Sequence, residues 1–328
     1  MPTRRQFALL LAGAGTLASP ARPVLAAGFP DRPIRFVVPY APGGNGDTTV
    51  RLLAPRMSEV LGQPVVVENR AGAGGSVGAA QVARSRADGY TLMLGSNGPL
   101  TVNPTLQSNL AYDAGRDFAP IGLAVRTPLA IAVHRAQPAR SLAELLAQAK
   151  ANPGKVSIGS AGTGSITHLA IEMFNGATGA GLLHVPYAGG GALVPDLVAG
   201  NINGCFIEVS NALPLHREGA VRILGVTSAR RLAVAPEIPT AEEAGVPGFR
   251  AAAFLGIVVP SGTPEEAVRA LQAALAAAIA DSAVRQRLEQ MGSEIASAEE
   301  QTPAGFAAFI ARELAWTRDA AGRAGLRS

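Results

Sequence analysis

Apolar positions along this chain fall into short β-branched runs separated by stretches of helical periodicity. Ile34–Val38 (IRFVV) reads as a buried strand. The loop 39–46 (PYAPGGNG) follows it, and Asp47 stands where a cap would, ahead of a helix over 48–61 that Gly62 ends. Residues 65–68 form the next strand. The glycine-rich turn 71–78 (AGAGGSVG) leads into a helix over 79–86, and the strand 90–94 ends in Gly95-Ser96-Asn97. Strands separated by helices at this spacing predict βαβ units and a parallel sheet.

A second series repeats the pattern. A strand at 130–133 precedes Ser141, which caps the helix Leu142–Ala151 with Glu144 three residues on, a capping box. A strand at 156–158, the loop 159–164 (GSAGTG) and a helix opened by Ser165 and reaching about Asn175 come next. Strands at 183–185, 202–209, Val221–Val226 and 252–259 follow, with a helix over 192–199. Thr263-Pro264-Glu265-Glu266 is a strong helix start. The rest of the chain to about 324 is helical, broken near Gly292 and Pro303. Both series hold a strand, a glycine-rich loop and a helix at their centre. The pattern predicts two similar α/β lobes: 28–128 joined by 252–328, and 129–251, with crossings near 125–130 and 250–255. That is the outline of a hinged cleft.

Residues 1–27 belong to neither series. Arg4 and Arg5 precede an apolar run over 8–18, and small residues follow at 24–27, the order of an export signal; Thr-Arg-Arg-Gln-Phe resembles a twin-arginine signal. This segment also accounts for most of the basic excess. The chain has 28 Lys+Arg and 24 Asp+Glu; without Arg4, Arg5 and Arg22, 25 bases face 24 acids, a net of +1. A near-neutral chain with no basic run has no electrostatic footprint for nucleic acid. After residue 27 no stretch of 18 continuous apolar residues occurs, so a soluble mature protein is expected. The single cysteine, Cys205, excludes an intrachain disulfide and a cysteine metal cluster, and reads as a small core residue.

The candidate chemistry lies in the loops. Glycine-rich loops ahead of helices let backbone N–H groups converge where the helix start adds partial positive charge, which makes an anion cradle without Lys or Arg. Tight turns alone are the bland alternative. The turn at 72–78 lacks the spacing of a dinucleotide fingerprint, and Gly154-Lys155 is followed by Val156, so no phosphate-binding loop is present. No G-x-S-x-G elbow exists. Ser165 and His168 share a helix face without a third group to orient the histidine, so Ser165 reads as a cap or a ligand hydroxyl. His168 and Glu172 could hold a metal, but His134, His184 and His216 look scattered, and neither metal nor cofactor is expected.

Several ordered motifs resemble the Bug receptors, the extracytoplasmic solute receptors of tripartite tricarboxylate transporters. They are FPDRPIRFVVPYAPGG (29–44), VVENRAGAGG (66–75), ADGYTL (87–92), Asn103-Pro104, GSAGTGS (159–165) with His168-Leu169, HVPY (184–187), IPT (238–240) and VPSGTP (259–264). The resemblance implies a two-lobed periplasmic-binding-protein fold, each lobe a mainly parallel sheet flanked by helices. It further implies no catalysis, a periplasmic location, action as a monomer and delivery of a small carboxylate to a membrane permease. An exported partner of a sensor kinase and, more remotely, a hydrolase are the alternatives. The loops matching 42–47 and 161–165 would grip the carboxylate. The candidate ligand-binding residues are Tyr40, Pro42, Gly43, Gly44, Asp47, Thr48, Ser96, Asn97, Ala161, Gly162, Thr163, Gly164, Ser165, His168, Tyr187 and Glu208. The chain departs from the family at Ala188, Ile207 and Phe254, where a base, an Asp and a Trp are frequent. Those positions are expected to line or rim the part of the cleft that reads the ligand's far end.

Overall fold

A computed structural model describes residues 28–326; the export signal expected at 1–27 lies outside the described residues. The chain opens with β1 (Ile34–Val38), α1 (Asn45–Leu61), β2 (Val65–Asn69), α2 (Ser76–Ala83) and β3 (Thr91–Ser96), then a π-helical turn at Gly98–Val102 and the single turn α3 (Asn103–Leu106). β4 (Phe118–His134), α4 (Leu142–Ala151), β5 (Ser157–Ser160), α5 (Ile166–Thr178), β6 (Leu183–Pro186), α6 (Gly190–Ala199), β7 (Gly204–Glu208), α7 (Val209–Arg217) and β8 (Val221–Val226) make the second series. β9 (Ala252–Pro260), α8 (Glu265–Ala280), α9 (Ser282–Gln290), β10 (Glu294–Ile295) and α10 (Pro303–Arg323) complete the chain. Among the described residues no single helix is long and apolar enough to cross a membrane.

The strands run in the order β2-β1-β3-β9-β4-β7-β5-β6, with β8 and β10 also on β4. The parallel pairing expected from the alternation of elements holds at the two flanks, β2-β1-β3 and β6-β5-β7. The middle is antiparallel, because β4 and β9 pass in opposite directions between the flanks. The sequence predicts only residues 130–133 of β4, which in fact spans 17 residues. Pro120, Gly122 and Pro128 hid the remainder, since proline and glycine inside a run argue against a strand. Register shifts between Pro120 and Gly122 and between Leu123 and Val125 absorb the irregularity. Pro128 is the last residue paired with β9, and Leu129 the first paired with β7. The residue without an N–H thus stands where the strand changes partners.

Four apolar clusters fill the two flanks. α10 joins them: Phe306 and Phe309 pack on Phe254 in the first flank, while Ala320 and Ala321 sit in the cluster of Phe174 and Phe206 in the second. The predicted strand over 202–209 gives way at Val209 to α7, which the sequence reading missed. The C-terminal helices break at Asp281 as well as at the two expected places. The Asp281 carboxylate accepts the Ala283 and Val284 N–H groups and so starts a new helix inside an alanine-rich run.

Candidate functional site

Three helix N-termini converge between the two flanks. α1 begins at Asn45 after Gly44, α5 at Ile166 after its cap Ser165, and α6 at Gly190 after Gly189. They surround a cavity of about 30 Å³, the room of roughly one water molecule. Tyr40, Gly44, Ser96, Asn97, Ala161, Ser165 and Glu208 line it, all of them predicted. Asn45, Gly46, Ile166, Gly190, Ala253 and Leu255 line it too and were missed. The run AGGG at 188–191 carried a readable signal of the α6 start, whereas Ala253 and Leu255 are fixed only by which face of β9 turns inward. No Lys or Arg is among the lining residues. The positive potential comes from backbone N–H dipoles, each helix start worth about 0.3–1 kcal/mol exposed and up to ~2 enclosed.

The flanks touch around this cavity. Ala41 N–H donates to Ala188 O at 3.2 Å, Asn211 Nδ2 to Gly43 O at 3.1 Å, and Ser210 Oγ to Asn45 Oδ1 at 2.9 Å. Tyr40 and Ser96 bond through their hydroxyls at 2.9 Å, and burial raises the Tyr40 phenol far above its ordinary value. Asn97 stitches the end of β3 to β9, accepting from Phe254 N–H at 2.9 Å and donating to Ala252 O. Burial also raises the Glu208 carboxyl above the usual carboxylate range.

Other predicted residues support the cavity from behind. Asp47 is not the cap of α1. It lies in the first turn, and its carboxylate accepts from Gly43 N–H, Arg51 Nε and Asn69 Nδ2 at 2.9–3.0 Å. Burial alone would raise this carboxyl, but those donors hold it below the usual range. Pro42 and Gly43 are exposed at the loop tip, and Thr48 faces a separate crevice. Gly162 N–H donates to Ser160 Oγ, Gly164 N–H to His168 Nδ1, and Thr163 is exposed. The Tyr187 hydroxyl turns away to Asp196 at 2.8 Å. The third glycine-rich loop serves packing: a Cβ on Gly74 would come within 2.4 Å of Thr163 O, so the loops of the two flanks meet backbone to backbone.

Two of the three family departures, Ile207 and Phe254, neither line nor rim the cavity as expected. Ile207 and Phe254 are each about 1% exposed in apolar clusters, and Ala188 meets the cleft only through its backbone carbonyl. Strand alternation is the reason: the neighbours Glu208, Ala253 and Leu255 carry the inward side chains.

The histidines are less scattered than they look in sequence. His168, Glu172 and His184 bring possible ligand atoms within 4.8 Å of one another. The two rings stack at 4.4 Å, however, with His168 Nδ1 taking Gly164 N–H and His184 Nε2 bonded to Ser160 Oγ at 2.6 Å. Stacked rings point their lone pairs alongside each other rather than at one ion, and the cluster reads as a brace behind the loop 161–165. Ser165 Oγ bonds His168's backbone N–H and the Thr167 hydroxyl, so among the described residues the histidine ring does not act on it as a base.

The chain is similar to known proteins over most of its length. Residues 49–318 match the model of the tripartite tricarboxylate transporter family receptor. Protein BugT of Bordetella pertussis is 37% identical over 295 residues, 90% of each chain. Among solved structures, the periplasmic binding protein BugD is 34% identical with a TM-score of 0.88, covering 91% of this chain and 99% of its own. MatC from Rhodopseudomonas palustris, solved with bound malate, is 34% identical with a TM-score of 0.86, over 89% and 99%. An R. palustris protein solved with adipate is 33% identical with a TM-score of 0.87, over 90% and 98%.

Proposed function

This chain belongs to the tripartite tricarboxylate transporter receptor family, and from that premise we propose that it is an exported periplasmic receptor that encloses a small carboxylate between two lobes and delivers it to a membrane permease. The family and the fold are those of solute-binding receptors, which are not enzymes. The observation that carries the reading is the cavity itself, where three helix N-termini converge and no cationic side chain is present. The lobes we assign are 28–128 with 252–328, and 129–251, hinged where β4 and β9 cross. A cavity of about 30 Å³ is too small for a dicarboxylate, so the lobes part to admit one and close on it.

Energetics favour closure around the ligand. Micromolar affinity corresponds to about 8 kcal/mol. One charge-assisted hydrogen bond gives about 1.5–3, so several donors from both lobes are required. Dipoles suit one or two carboxylates better than a dense polyanion, whose self-repulsion they leave unneutralised. Glu208 lines the cavity; burial already raises its carboxyl, and a further anion beside it would add to that cost, so the site favours a hydroxyl or another uncharged polar group at the ligand's far end. The relatives solved with malate and with adipate hold ligands of this class. Isothermal titration with lactate, malate, adipate and citrate tests the proposal: a mono- or dicarboxylate binds most tightly, and citrate as the tightest ligand would sink it.

A further inference from the structure

Beside the cavity, a crevice of about 290 Å³ opens between α1, α7 and α9. Arg217 enters it from α7 and Arg287 from α9, which packs on α8, β10 and α1. Two cations thus face one crevice from opposite flanks. Neither has an acidic partner among the described residues: Arg217 Nη2 donates to Val234 O at 2.8 Å, and the Arg287 side chain makes no bond. No Asp or Glu lines the crevice, whose other polar side chains are amides and hydroxyls.

Two orphaned atoms add a second, independent sign. Asn45 is 3% exposed, its Oδ1 is held by Ser210, and its Nδ2, a donor, has no partner. Asn211 donates through Nδ2 to Gly43 O, which fixes its amide, and leaves its buried Oδ1, an acceptor, without one. Buried polar groups without partners are costly. Two guanidiniums brought towards each other repel, and an anion between them replaces that repulsion with two charge-assisted contacts. A ligand that both accepts and donates also satisfies the two asparagines.

We propose that the crevice between α1, α7 and α9 is a second binding site, for a small oxyanion that carries a hydroxyl, and that its occupant bridges Arg217 to Arg287 and so holds the two flanks together. Hydrogen phosphate and a hydroxycarboxylate share this chemistry. The site adjoins the central cavity, with Asn45 lining both, but Arg217 and Arg287 line the crevice alone, so substitutions there separate the two sites.

The mature chain is melted over a range of inorganic phosphate and, separately, lactate concentrations, with ionic strength held constant by chloride. The wild-type melting temperature rises and saturates with at least one of the two, and the tighter one names the source. Arg217→Gln and Arg287→Gln each weaken the apparent affinity by about tenfold or more. Arg287→Lys recovers part of it. Arg285→Gln, on the same helix but outside the crevice, removes an equal charge and leaves the response unchanged. A flat wild-type response to both anions overturns the proposal, and so does a response that both arginine variants keep in full, which would place the anion in the central cavity. So does an equal loss in Arg285→Gln, which would reduce the effect to net charge. If carboxylate titration into the central cavity fails while the anion response survives, the receptor reading falls and this site stands.

Discussion

Gly44 and Gly164 both border the cleft, but they constrain it differently. Gly164 has a φ of +83°, and a Cβ there would fall 1.7 Å from Asn103 Oδ1, so any side chain strains its own loop. Gly44 has an ordinary φ of −77°, and its Cβ would lie 3.4–3.6 Å from the Gly191 and Gly190 nitrogens across the cleft. Gly44→Thr keeps an acceptable helix cap while placing two more heavy atoms where the flanks meet. Carboxylate affinity falls at least about tenfold, and the stability of the unliganded protein stays within about 0.5 kcal/mol of wild type. Calorimetric titration and urea unfolding read the two quantities; unchanged affinity removes the cradle from the account. His184 makes a second prediction. Burial, and then the neighbouring His168, push its imidazole from 6.5 down to about 4. The unfolded chain therefore binds a proton that the folded one refuses, and stability is present above pH 6.5 and lost as pH falls towards 4. In His184→Gln the melting temperature depends less steeply on pH across that window, and an unaltered slope would show that the ring titrates freely.

At the scale of elements, the start of α1 rests on one carboxylate. Asp47 gathers Gly43 N–H, Arg51 and Asn69, so it shapes the loop whose neighbours line the cavity. Asp47→Ala leaves these donors without their acceptor and costs about 1–3 kcal/mol of stability. Asp47→Asn, which keeps one acceptor oxygen, costs less. Denaturant midpoints decide it, and equal midpoints for wild type and alanine variant would mean water replaces the carboxylate without loss. Helices with polar caps were legible: Ser141 and Ser165 accept the Glu144 and His168 N–H groups as their positions in the sequence indicate. α7 was not legible, because its cap position is Glu208, whose side chain makes no cap bond, and Val209 reads as one more residue of the strand. β4 was only partly legible, since its prolines and glycine look like a loop until β9 is beside it.

For the whole molecule, β4 and β9 are the two crossings between the flanks, and α10 packs on both of them. The hinge proposed above lies on these two strands, near the paired Pro128 and Ala252. Saturating carboxylate lowers the radius of gyration in small-angle scattering. Identical curves with and without ligand would argue for a rigid site.

The sequence by itself determined most of the alternation of strand and helix in the flanks, the glycine-rich helix starts and the lack of Lys or Arg in those loops, because these depend on local periodicity, capping and residue type. The ordered motifs also carried the family. Which side chains face the cavity was decided only by tertiary structure. Strand alternation admits Glu208, Ala253 and Leu255 while turning Ile207 and Phe254 into the core, and that phase is set by pairing with β4, 77 to 130 residues away along the chain. The same long-range pairing brings the α6 start to the cavity, sets His184 against His168, and aligns Arg217 with Arg287 across one crevice. Local sequence specifies what each segment can offer; the sheet's register decides where it is offered.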